Sequence, residues 1–169
     1  MPILTKFERV YCMANHLLVP VFKSVFERDF EVNKFTDRLE MQKMVYLLQN
    51  MGISVGNYNF MWYKHGPYSQ ALQGDMLNLQ SSEEINVIFS IDAKRVIDDL
   101  KNAIFKNGIS YSEEQWVECL GSLYYIRENL LSSASSDIQV INELMSRKPH
   151  LNNSIDNEEA LKTIKELFS

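Results

Sequence analysis

NFMWYKHGPYSQALQGDML, residues 59–77, decides how the rest of the chain is read. With Tyr58 in front of it, the stretch alternates: Tyr58, Phe60 and Trp62 fall on one face, Met61 and Tyr63 on the other. That period of two is a strand's, and it predicts the first three on the core side. Gly66-Pro67 then reads as a turn, because proline confines the residue before it to extended conformations. Ser69 carries an oxygen that caps a helix start, and Leu72, Met76 and Leu79 form that helix's inner face. A β-branched and aromatic run, Ile85–Ser90, is expected to be a second short strand pairing with the first.

Helical spacing dominates on either side. Phe7–Phe30 has apolar residues three and four apart, with Pro20 expected to kink or split it. Leu39, Met44, Val45, Leu47, Leu48 and Met51 make one wide apolar face, with Thr36 or Asp37 as the expected cap and Gly52 as the stop. Ala93, Val96, Ile97, Leu100 and Ile104 predict another helix, ended near Asn107-Gly108. Ser112 with Gln115 is a capping box that opens a long helix running to Leu131. After a Ser132–Ser136 linker, Ser136 caps a helix with Ile138, Ile141, Leu144 and Met145 inward, and Pro149 ends it. Asp156 with Glu159 is expected to open the last helix, with Ala160, Leu161, Ile164, Leu167 and Phe168 inward. The expectation is a mainly α fold of six to eight helices with one small two-stranded β element, in a single domain over 1–169.

The length of 169 residues suits one such domain, and about two-thirds of the chain's surface can be buried at this size without a disulfide or metal. The net charge of −5 is unevenly spread: residues 1–80 hold 8 Lys/Arg against 7 Asp/Glu, residues 81–169 hold 9 against 15. Neither half is a basic nucleic-acid footprint. Residues 70–79 contain no Lys or Arg, which argues against a winged-helix-like regulator that reads DNA, the runner-up reading. No run approaches the ~18 apolar residues of a membrane span. Cys12 and Cys119 both sit in apolar helical pattern and read as buried thiols of a cytoplasmic protein.

Chemistry-bearing motifs are sparse. His16, His65 and His150 are far apart and none stands at metal-ligand spacing. There is no phosphate loop or dinucleotide fingerprint, and the carboxylate pairs Glu83-Glu84, Asp98-Asp99 and Glu158-Glu159 suit helix starts and polar faces. No catalytic residue, metal or cofactor is therefore expected. The stretch that remains is the aromatic corner. Tyr63, His65 and Tyr68 crowd one turn and cannot all be buried, and tyrosines bring large contact area with a polar tip to binding surfaces. Gln42, Tyr46 and Asn50, four residues apart on one helix edge, are expected to form a wet margin to the same surface. An enzyme using His65 with Tyr63 or Tyr68 as acid and base is a further reading; it requires a closed pocket and a shifted histidine.

RLEMQKMVYLLQNMG followed by NFMWYKHGPYSQALQGDMLNL resembles the Panacea, or SocA-like, antitoxin-domain family, and most of all its short stand-alone relatives. The first motif is carried by Leu39, Gln42, Lys43, Met44, Tyr46 and Gln49, with Glu40-Met41 inserted. The second is carried by Trp62, Tyr63, Gly66, Pro67, Tyr68, Ser69, Leu72 and Asp75. WVECLGSLYYI and the late RKPH…EEAL are also similar, so the likeness covers about residues 36–165. His65 stands where Tyr is common in the family, and Tyr68 where the antitoxin branch has Val. The resemblance implies a mostly helical, non-enzymatic domain that neutralises or sequesters a partner protein, such as a basic toxin that the acidic chain would attract. It implies Trp62, Tyr63, Gly66, Pro67 and Tyr68 as motif positions of the partner-binding corner, beside His65, Gln42 and Tyr46.

Overall fold

The computed structural model describes residues 16–79 and 86–169. Among these the chain is mainly helical, with one two-stranded antiparallel sheet. Residues 16–26 are helical (α1), followed by α2 (Phe35–Asn50), β1 (Met61–Tyr63), β2 (Gly66–Tyr68), α3 (Gln70–Leu77) and α4 (Ile91–Ile104). Then come α5 (Glu113–Tyr125), a π-helical turn (Ile126–Leu130), α6 (Asp137–Arg147) and α7 (Ser154–Leu167).

The core forms around α5, which is buried from Trp116 to Tyr124 and packs between α2 and α7. WVECLGSLY is apolar almost all round, as a central helix must be. Trp116 is fully buried, and its indole N–H donates to the Ala103 carbonyl at 3.0 Å, so its polar atom is satisfied. Cys119 is buried beneath, with its Sγ 3.4 Å from Asn157 Oδ1, and burial pushes its thiol well above the ordinary range. Cys12 and the Phe7–Asn15 part of the first expected helix lie outside the described residues, as do Glu83 and Glu84.

Several caps stand where the sequence places them. Ser112 and Ser136 form capping boxes with Gln115 and Gln139, and Ser69 accepts the Leu72 N–H. Gly52, at φ +92°, closes α2 with the paired Gly52 N–H to Gln49 and Ile53 N–H to Leu48 bonds of a left-handed stop.

Other expectations are corrected. Of the two outcomes expected at Pro20, the split does not occur: residues 16–26 are one continuous helix. Neither Thr36 nor Asp37 caps α2; Lys34 does so without a side-chain bond. Asp37 is instead buried, accepting the Glu31 N–H at 2.8 Å and an Arg28 N–H at 2.9 Å. The last helix is capped by Asn153, because Asp156 turns its carboxylate onto the backbone N–H groups of Ser110 and Tyr111. Ile138 is exposed rather than inward, since α6 buries only Val140, Ile141 and Leu144. The long helix widens into the π turn at Ile126 before Leu131.

The β element is also differently made. The expected second strand is absent over 86–90, which leads extended into the Ser90 cap of α4. The partner of Met61–Tyr63 is Gly66–Tyr68, in the register Met61–Tyr68, Trp62–Pro67 and Tyr63–Gly66. Thus Gly66-Pro67 is a strand, and the turn is Lys64-His65. Neither turn residue has positive φ; Gly66 takes it instead, at +87°. Pro67, which has no N–H to donate, is tolerated because the ribbon has only edges.

Candidate functional site

The hairpin is tied to α2 by side chains seven residues apart, hence on one helix face. Gln42 clamps Ser69 on both its backbone groups, accepting the N–H at 2.8 Å and donating to the carbonyl at 2.9 Å. Gln49 does the same for Tyr58, at 3.0 and 2.8 Å. The ribbon therefore enters and leaves between two glutamine clamps. Between them Lys43, fully buried, donates to the Pro67 carbonyl at 2.7 Å.

These contacts correct the expected polar margin. Gln42 and Tyr46 are buried, and only Asn50 of that row is exposed. The Tyr46 ring lies among Phe60, Tyr124 and Tyr125, and burial drives its hydroxyl strongly toward the neutral form. Gly66 and Pro67 are buried too, against α5 and α2. Trp62 is half-buried, packed on Tyr125 and covered by Arg147 and Lys148 at 5.5 and 5.2 Å from its ring. Of the eight residues singled out in the sequence, then, Tyr63 is exposed, Trp62, His65 and Tyr68 reach the surface in part, and the other four are buried.

Under the turn lies a charged cluster that the sequence reading missed. Glu118, buried on α5, accepts from His150 Nε2 at 3.1 Å and stands 3.6 Å from Lys148 Nζ and 3.8 Å from His65 Nδ1. The buried Lys148 ammonium also reaches the carbonyls of Tyr63 and Lys64, so the turn is held from below by a cation. Burial pulls Lys43 down to about 7, with Glu118 opposing and Lys148 assisting. Lys148 and His65 are likewise lowered by burial, again against the pull of Glu118. A signal for this cluster was present: Lys43 and Glu118 each stand alone in an apolar helical run, MQKMV and WVECLG, where a charge survives only if paired.

Above the cluster, between the start of α2, the hairpin turn and α3, opens a cleft of about 370 Å³. Its aromatic walls are Phe35, Tyr63 and Tyr68. The rings of Tyr63 and Tyr68 are 5.2 Å apart, and Phe35 meets His65 edge-on at 5.1 Å. Phe35 and Tyr63 remain 49% and 51% exposed, and the His65 side chain 44%, so the cleft is open to solvent along its rim. Four basic groups line it, Arg38, Lys43, Lys64 and His65, and no carboxylate does. A second depression of similar volume, between α4 and α7, differs in kind. Its lysine, Lys106, is already paired with Glu159 at 2.5 Å and with Thr163 at 3.2 Å.

His65, lowered by burial, stands at this open rim with its side chain 44% exposed. The thiol of Cys119 is buried and held by Asn157, away from the cleft lining. Among the described residues, no group of three His, Cys, Asp or Glu side chains is arranged to hold a metal, and no helix is long and apolar enough to cross a membrane. The chain matches no protein-family model, no curated protein and no solved structure.

Proposed function

We propose that this chain is a non-catalytic protein-binding module, antitoxin-like in acting by occlusion, which seats a segment of a partner protein in the hairpin cleft. One observation carries the reading: aromatic groups stand half-exposed around an open cleft on a turn that the molecule fixes from beneath. Half-exposed rings at Phe35 and Tyr63 cost apolar hydration, while a hairpin clamped by Gln42, Lys43, Gln49 and Lys148 does not have to be ordered on binding. Pre-organised aromatic anchors of this kind are what binding hot spots are made of. The antitoxin-like action itself is supported by the Panacea resemblance. Its motif residues Gln42, Lys43 and Gln49 are here the clamps that shape the corner, and Tyr63 and Tyr68 are what the corner presents. A cytoplasmic setting belongs to the same reading and agrees with a free, buried Cys119.

The DNA-regulator reading has less support, because α3 carries no Lys or Arg and the strand expected to complete a wing is absent over 86–90. Affinity capture from native lysate with and without nuclease, the wild type beside Tyr63→Ser/Tyr68→Ser, tests the proposal. The expected result is one protein at stoichiometric level with the wild type and its loss from the variant, whose melting temperature is unchanged. Equal capture by both, or capture abolished by nuclease, refutes it.

A further inference from the structure

The charge around the cleft says what kind of segment enters it. The chain as a whole is negative, which favours basic partners at long range. Inside the cleft the sign is reversed. Arg38, Lys64 and His65 stand at the wall with Lys43 at its base, and Asp or Glu is absent from the lining. Below, the two buried lysines, Lys43 and Lys148, both pulled down by burial, share Glu118 as their nearby carboxylate, so the lasting positive charge of the cleft is that of Arg38 and Lys64. At Arg28, by contrast, one cation faces Asp37, Glu40 and Glu113. The hairpin site is therefore short of negative charge. Beyond about a Debye length of ~10 Å the distant carboxylates are screened, so the local sign decides what docks.

Resting on the binding-module reading above, we propose that the cleft takes an acidic, aromatic-tolerant peptide segment of the partner protein, with one side-chain carboxylate seated against Arg38 and Lys64, beside the imidazole N–H of His65. Guanidinium and ammonium groups give charge-assisted hydrogen bonds to a carboxylate. The faces of Phe35, Tyr63 and Tyr68 cover the flanking residues. A basic partner satisfies this too if it carries one acidic stretch.

The test is selection of a random 12-residue peptide library, displayed on phage, against the immobilised chain. It is run beside Tyr63→Ser/Tyr68→Ser and beside Arg38→Gln/Lys64→Glu, each checked for an unchanged circular-dichroism melt. Lys64→Glu alone, at an exposed position, serves if the double variant melts early. The expected outcome is enrichment of peptides rich in Asp and Glu, with capture reduced at least tenfold by the charge variant, by the tyrosine variant and by raised salt. Peptides that need the tyrosines but are neutral or basic, or that survive charge reversal, overturn the acidic-segment inference and leave the binding module standing. Peptides that ignore both variants overturn both. Displacement of acidic peptides by millimolar inorganic phosphate, or by the free chain itself, assigns the cleft to a phosphate group or to a second copy and overturns the inference as well.

Discussion

Substituting Gly66 by alanine probes the geometry on which the cleft depends. Gly66 sits at φ +87°, and an added Cβ would overlap Ser122 Oγ and lie 3.4 Å from Ser122 Cβ. Two costs follow and can be separated. The left-handed backbone costs an alanine about 1–2 kcal/mol wherever the space is open. The overlap with α5 adds about 1–2 kcal/mol, the lower part of the ~1–3 kcal/mol range for overpacking, because the atom met is a single side-chain oxygen. Gly66→Ala should thus lose about 2–4 kcal/mol in urea unfolding. Ser122 Oγ is buried without a hydrogen-bond partner among the described residues. Ser122→Ala alone should therefore be neutral or stabilising by up to ~1 kcal/mol. In the double variant the overlap is gone and only the backbone cost remains, so the cycle should show about 1–2 kcal/mol of coupling. Additive losses, with coupling under ~0.3 kcal/mol, would refute the close approach of the hairpin to α5.

Three further outcomes are expected. Gln42→Leu strips partners from two buried backbone groups of Ser69 and should cost about 2–4 kcal/mol, with amide exchange at Ser69 accelerated. Tyr63→Ser, at a half-exposed position, should change stability by less than ~0.5 kcal/mol yet weaken partner binding by about 1–2 kcal/mol, measured by calorimetry on the captured partner. Lys43 binds its proton up to about 7 in the folded chain but to about 10.4 when unfolded. The unfolded state therefore holds an extra proton between these values, and raising pH stabilises the fold. From pH 7 to 9 the wild type should gain about 1–3 kcal/mol relative to Lys43→Met in urea titrations. No relative gain would mean that Lys43 is not desolvated.

Much of the helical frame could be read because its signals are local. A serine followed three residues on by glutamine marks Ser112 and Ser136, and Gly52 ends α2 by the one conformation glycine adopts freely. The alternation at Tyr58–Tyr63 was legible for the same reason, with Tyr58 inside and Met61 and Tyr63 outside. What failed depended on partners distant in sequence. Ile85–Ser90 has strand-like composition, but the ribbon closes on the adjacent Gly66–Tyr68, reached through a two-residue turn. Asp37 and Asp156 look like caps and instead bind backbone groups of other segments. Gln42 reads as a wet flank because a glutamine's backbone partner 27 residues away leaves no trace in its neighbours. The aromatic half of the site was therefore visible in the sequence, while its charged floor of Lys43, Glu118 and Lys148 required the fold.

The central claim is that the Tyr63 face of the hairpin is where the partner sits. A photo-reactive benzoylphenylalanine placed at position 63, and separately at the exposed position Ile155 on α7, tests it in the living native host. The account predicts a discrete light-dependent adduct with one protein from position 63 and none from position 155. No adduct at 63, or the same adduct from both positions, would contradict it.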